Sequence, residues 1–329
     1  MNIGLPLLLA ALVGAGPVGQ DGRPLIKKLG TIGVDTVETT PIVFHGILYR
    51  YESDRVHKGC SWFVEHDTGR TTTPFGGGWI FGSAFADRDT MYVTATKSHP
   101  NSTEIHMFAS TDPHLATWQD YAALQLPGYG IFNTSICKAN GKYVMAFEID
   151  KPAAEAGIAF TIRFATSTDM RNWSVTPADC VYAKDRYTAA PAIRYQDGWY
   201  YLFYLEAIRA GYENRGGSGG FGFETYVVRS QDLVRWQLSP LNPVLRATAD
   251  DRLIANPKLA KANRQRIAKA VDANNSDLDF CEHQGRVIIN YSWGNQLGVE
   301  QLAEAIYEGS QADFLRGWFP NPKPVAKHR

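Results

Sequence analysis

Cysteine is scarce in this chain: four residues among 329, far apart at positions 60, 137, 180 and 281. No Cys-x-x-Cys pair exists, which argues against a zinc ribbon or a dithiol redox motif. An exported protein could pair them, though spacing does not say how, and buried free thiols would serve as packing residues. Net charge is lacking too, because 33 Lys and Arg balance 33 Asp and Glu. That removes any overall electrostatic reason to bind nucleic acid or an anionic membrane. Long apolar runs are missing after residue 15. The opening run, Met1 to Ala15, is too short for the ~20 residues that cross a bilayer. It has the length of a signal-peptide core, with Val13 and Ala15 as small residues ahead of a cleavage site, but no Lys or Arg in front. These features predict a leader over residues 1–20, an exported protein free of the membrane after processing, and one domain over 21–329.

Aromatic residues and glycine are plentiful, with 8 Trp, 16 Tyr, 16 Phe and 30 Gly. This suits a protein rich in strands and tight turns. The clearest stretch is Tyr187 to Glu206, which reads as strand, Asp197-Gly198 turn, strand. Asp-Gly between β-rich runs is a strong hairpin signal, since both turn positions favour φ > 0. Further hairpins centre on His45-Gly46, Asp87-Arg88-Asp89, Asn140-Gly141 and Gln284-Gly285. Three hairpins are followed by a third strand and a Ser/Thr-x-Asp…Trp ending, at Asp112 with Trp118, Asp169 with Trp173, and Asp232 with Trp236. The three aspartates are 57 and 63 residues apart.

A repeat of this size, built of short antiparallel strands, predicts an all-β fold, a five-bladed β-propeller. The repeated Asp is expected to hold a turn through backbone N–H groups. The repeated Trp is expected to cap the apolar layer between blades. Residues 16 to about 33 read as a leader remnant and an entry segment that leads in to the first hairpin. Residues about 250–270, with Leu259, Ala262 and Ile267 among charges, read as a helical insertion between blades four and five.

In a hairpin the start of the first strand lies beside the end of the second. In a propeller those ends gather around the mouth of the axial channel. Polar residues expected there are Asp35, Glu38 and Glu52 from the first unit, Ser83 and Lys97 from the second, and Asn133 and Glu148 from the third. Thr188 and Glu206 come from the fourth; Asn275, Asp277, Asp279 and Trp293 come from the fifth. Carboxylates at the ends of apolar, aromatic strands cost desolvation unless they have partners or water. Several around one cleft suit glycoside hydrolysis, in which one carboxyl protonates the leaving oxygen and another is base or nucleophile.

The hairpin Asp-Gly-Trp-Tyr-Tyr-Leu-Phe-Tyr and the Ser-Thr-Asp…Trp endings resemble the five-bladed propeller glycosidases. That superfamily holds the family 43 arabinanases and xylosidases, the levansucrase and invertase group, and the family 117 neoagarobiose hydrolases. The resemblance spans roughly residues 34 to 320. It implies a hydrolase acting on a plant or algal oligo- or polysaccharide, with Glu38 (or Asp35) as base or nucleophile, Glu206 as acid and Asp277 as third carboxylate. Glu52, Asn133, Glu148, Asn275 and Trp293 are then expected to bind sugar. No cofactor is required, and a structural cation in the central channel is compatible with the fold. The Asp-Pro that opens the first blade in relatives is replaced by Val37-Glu38-Thr39-Thr40-Pro41. A histidine acid of the family 117 type would fall on His45 or His283. The alternatives are a non-catalytic carbohydrate-binding propeller and a polysaccharide lyase using Tyr49 and Arg50. Oligomeric state is not readable.

Overall fold

A computed structural model describes residues 16–54, 59–97 and 102–320. The expected leader lies mostly outside them; at its end Val18 already pairs with Pro24. The fold is mostly β. Strand β1 (Ile26–Val34) is followed by five antiparallel groups in sequence order. The first is β2 (Thr40–Phe44), β3 (Ile47–Ser53) and β4 (Ser61–Glu65); the second is β5 (Ile80–Asp87), β6 (Thr90–Thr96), β7 (Glu104–Ser110) and β8 (Gln119–Gln125). The third is β9 (Gly130–Ala139), β10 (Lys142–Lys151) and β11 (Thr161–Ser167), with β12 (Ser174–Val175) and β13 (Val181–Tyr182) both on the edge of β11. The fourth is β14 (Thr188–Gln196), β15 (Trp199–Ile208), β16 (Gly222–Ser230) and β17 (Gln237–Leu238), and the fifth is β18 (Asn274–His283), β19 (Arg286–Gly294) and β20 (Glu300–Tyr307). A short parallel match, Phe223 and Glu224 against Asn274 and Asn275, joins the last two groups into one sheet.

The lead-in segment is a strand. β1 runs antiparallel to β20, from Ile26 opposite Tyr307 to Val34 opposite Gln301, and supplies the fifth group with a fourth strand. The two ends of the described fold are thereby hydrogen-bonded together. The first strands neighbour one another in sequence: β2 packs beside β5, β5 beside β9, β9 beside β14, β14 beside β18, and β18 beside β2.

The hairpins form where their turn residues demand. His45, Asn140, Asp197 and Gln284 have φ between 48° and 52°, and the glycines after them have φ between 77° and 82°. Two consecutive positive φ values are the type I′ signature, and glycine meets the second at no steric cost.

The repeated Asp is structural. Asp169 accepts from the backbone N–H of Arg171 (2.9 Å) and Asn172 (2.8 Å), and Asp232 from Val234 (3.0 Å) and Arg235 (2.8 Å). The indoles reach back to the preceding group. Trp118 stacks on Phe75 at 4.0 Å, and Trp236 lies 5.6 Å from Phe164. Trp173 packs into the core between groups two and three. Removing such a ring from a core costs about 3–5 kcal/mol.

Of the expected insertion only α2 (Lys261–Lys269), after the four-residue α1 (Ala153–Ala156), is helical, preceded by a 3-10 turn at 249–252. Ile267 is the one buried residue of α2, and the stretch before it is tied to β1, with Thr31 N–H donating to the Leu253 carbonyl at 2.7 Å and Asn256 Nδ2 to the Ile32 carbonyl at 3.0 Å. Helix α3 (Gln311–Gly317) buries Phe314 and Leu315 under the last two groups. Among the described residues no helix is long and apolar enough to cross a membrane, and the four cysteines are free.

Candidate active site

Four of the five first strands carry the same irregularity near their start. Ile80 to Ser83 opposes Thr96 to Thr94, Ile131 to Thr134 opposes Ile149 to Phe147, Ala189 to Ala192 opposes Leu205 to Phe203, and Ser276 to Asp279 opposes Ser292 to Asn290. Each is a bulge with one extra residue, which bends the strand and re-aims side chains. Phe81, Ala190 and Asp277 take φ values of 52°, 49° and 50° there, and Glu38 takes 56° just before β2. A non-glycine residue in this region costs about 1–2 kcal/mol, so the surrounding sheet must hold it. Glu38, Asn133, Glu148 and Asp277 meet in one cavity of about 370 Å3.

Glu148 is the most informative member. It is the single residue of β10 facing the two-residue bulge Phe132–Asn133. Its side chain points to the fourth group, where the bulge at Ala190 turns a backbone N–H to Oε2 at 2.9 Å. Asn133 Nδ2 donates to the same oxygen at 3.2 Å. These bonds favour the charged form, yet burial outweighs them. Burial first, aided by the negative charges of Glu38 and Asp277, pushes the Glu148 carboxyl up to about 8. A carboxyl raised this far favours its protonated form at neutral pH. The Tyr187 phenol is raised by burial first and then by the charges of Glu148, Asp277 and Glu38, which places all four groups within electrostatic reach.

Aromatic rings line the same cavity. Phe81, Phe132, Phe160 and Tyr187 form an edge-to-face chain with centroid spacings of 5.9, 4.7 and 5.5 Å. Asn274 is 2 % exposed and lines the cavity, and its Oδ1 has no hydrogen-bond partner among the described residues. Among the described residues no Lys, Arg or His lines the cavity. Among the described residues no group of three or more His, Cys, Asp or Glu is arranged to hold a metal ion.

Several expected site residues lie elsewhere. Glu206 faces the third group, where Arg186 Nε donates to it at 3.2 Å, beside the Tyr182–Tyr204 hydroxyl pair. Its carboxyl is raised by burial, opposed by Arg186. The cause is parity. Glu148 stands seven residues after its turn glycine, Gly141, whereas Glu206 stands eight after Gly198. A one-residue difference flips a strand side chain to the other face. Leu205, at seven, lines the cavity instead. Glu52, six after Gly46, is held by Arg50 (2.7 Å) and the Trp62 indole (3.0 Å). Trp293, eight after Gly285, is fully buried and donates to Thr31 Oγ1 at 2.9 Å. Asn275 turns to Asp251 and Lys28. Asp35 pairs with Arg266 at 2.7 Å, and His45 and His283 sit beside hairpin turns. Arg50 is spent on Glu52, and Tyr49 is buried at 3 %. Glu148, expected only to bind sugar, is the group with the acid's protonation state; turn-to-Glu parity is the signal that separates it from Glu206.

No protein-family model matches the sequence, and no curated protein sequence matches it. Solved structures do. A thermostable family-43 glycoside hydrolase aligns with a TM-score of 0.55 at 12 % identity, over 90 % of this protein and 97 % of that one. The GH43 endo-arabinanase from Bacillus licheniformis aligns at 0.52 and 12 %, over 84 % and 95 %. The catalytic domain of the Coprinopsis cinerea GH62 α-L-arabinofuranosidase aligns at 0.55 and 11 %, over 88 % and 93 %. The protein shares the fold of glycoside hydrolase families 43 and 62. Those are propeller enzymes, and identities this low carry the likeness in fold and nothing finer.

Proposed function

We propose that the protein is a five-bladed β-propeller glycoside hydrolase with Glu148 as general acid. The cyclic adjacency of the five first strands supports the blade count, and β1 supplies the outer strand of the last blade. The fold likeness to glycosidases supports the class. The observation that carries the mechanism is a buried carboxyl, raised to about 8 by burial, facing two other carboxyl groups in one cavity.

In this reading a sugar ring sits against Phe132, Phe160 and Tyr187. Glu148 gives its proton to the glycosidic oxygen as the bond to the anomeric carbon breaks. Glu38 meets that carbon, directly or through a water whose proton it takes, and Asp277 maintains the field that keeps Glu148 protonated. Asn274 Oδ1 accepts from a sugar hydroxyl. The substrate is an oligosaccharide of plant or algal origin, and the leader-like start suits export. Purified protein assayed on a panel of aryl glycosides and plant and algal polysaccharides tests the reading. Hydrolysis lost in Glu148→Gln, Glu38→Gln and Asp277→Asn with folding intact is expected. Glycan binding without turnover by the wild type overturns it in favour of a binding propeller.

A further inference from the structure

A second cavity, of about 350 Å3, lies between the second and third groups and shares no described residue with the first. Its floor and sides are Tyr92, Trp118 and Tyr121, with the Arg171 guanidinium 4.8 Å from the Tyr121 ring centre. Hydroxyl and amide groups of Thr90, Thr117 and Gln119 complete the rim. It opens at the turn end of β6, near Thr90, whereas the candidate active site lies toward the other end of that strand. Seven residues at ~3.3 Å each set the two about 20 Å apart. Asp169, the carboxylate at this cavity, is occupied by the backbone N–H groups of Arg171 and Asn172 and by the Asn172 side chain. The cavity therefore offers flat rings, neutral hydrogen-bonding groups and one planar cation, but no pair of available carboxyl groups.

We infer that this groove is a second glycan-binding site, one that holds a polysaccharide segment of one or two rings without cutting it. Aromatic faces take the apolar faces of sugar rings, and the surrounding hydroxyl, amide and guanidinium groups take their hydroxyls. A second site on a rigid body raises the residence of a polymer near the first by effective concentration. The inference rests on the carbohydrate reading of the protein but not on hydrolysis at Glu148.

The test uses affinity electrophoresis through gels containing arabinan, xylan or agarose. Glu148→Gln protein is compared with the same protein also carrying Gln119→Ala and Arg171→Ala, both exposed positions, with unchanged thermal melting as the folding control. Retention by at least one polymer is expected to weaken about tenfold or more in the triple variant. Aryl glycoside hydrolysis by Gln119→Ala/Arg171→Ala in the otherwise wild-type protein is expected to stay unchanged. Equal retention of the two proteins, or no retention by any polymer, overturns the second site. Groove-dependent retention in a protein that hydrolyses nothing leaves the second site standing and removes the hydrolase reading instead.

Discussion

Two regions of this molecule bury acidic side chains, and they do so in opposite ways. In the cavity, Glu38, Glu148 and Asp277 converge, and Glu148 accepts from the neutral Ala190 N–H and Asn133 amide. At the seam between β1 and the last two groups, Asp251 and Asp272 are enclosed around Lys28. The Lys28 Nζ donates to Asp251 at 2.8 Å, to Thr248 Oγ1 at 3.1 Å and to the Arg246 carbonyl at 2.7 Å. Tyr291 donates to Asp251 at 2.7 Å, and Thr31 to the Asp251 carbonyl at 2.7 Å. Burial and the neighbouring Asp251 hold the Asp272 carboxyl well above the usual range, as burial does for Glu148. A raised carboxyl alone therefore does not mark an active site. What separates the two is the chemistry of the partners: Asp251 in the seam accepts from the Lys28 ammonium and the Tyr291 hydroxyl, whereas Glu148 accepts from the neutral Ala190 N–H and Asn133 amide in a cavity with room for a ligand. The seam ties the lead-in strand to the fifth group of strands.

That contrast is breakable. The largest effect is expected at Glu148. Glu148→Gln keeps the shape and the bond from Ala190 but has no proton to give, so kcat should fall by about 10²–10⁴. Steady-state kinetics on any aryl glycoside that is turned over checks this. Next is the seam. Lys28→Ala strands Asp251 as a buried charge and should cost about 3–5 kcal/mol of stability by denaturant titration, with kcat little changed in the protein that remains folded.

A smaller effect separates the two regions by pH. Glu148 has an ordinary value of 4.5 and a folded value of about 8. Between them the folded state binds more protons, so this group's contribution is fully favourable below about 4.5 and declines as pH rises towards 8. Asp272 adds a slope of the same sign. Glu148→Gln should therefore flatten the fall of melting temperature with pH, and Asp272→Asn should remove much of what remains.

Asn274→Ala should lower kcat/KM by about 1–3 kcal/mol, the worth of a hydrogen bond to a buried group. A substrate lacking the hydroxyl that Asn274 accepts should show no such loss. The smallest effect is expected at Glu206. Glu206→Gln should leave kcat/KM within about twofold, because its carboxyl faces Arg186 rather than the cavity.

Much of the fold is legible in the residues alone. The I′ turns announce themselves as X-Gly between β-rich runs, and the Ser-x-Asp…Trp endings mark the repeat. β1 is harder to see because its pairing is with β20, at the far end of the sequence, and Gly30 and Gly33 break its alternation. The site is half legible. Glu38, Asn133, Glu148 and Asp277 are all expected near one rim and do line one cavity. Glu52, Glu206 and Trp293 fall in with Glu148 when distance along the strand is read and parity is not. The bulges that aim Phe81, Ala190 and Asp277 have no compositional signature, since Phe and Ala do not favour positive φ and a lone Asp favours it too weakly to announce a bulge.

Whether Glu148 carries a proton at neutral pH decides its role as acid. Infrared difference spectra of the carboxyl C=O stretch, recorded as pH is raised, test it directly. The wild type should show a protonated carboxyl titrating near 8 that is missing from Glu148→Gln. Spectra in which the two proteins match, with Glu148 already ionised by about pH 5 as an ordinary carboxyl would be, would contradict it.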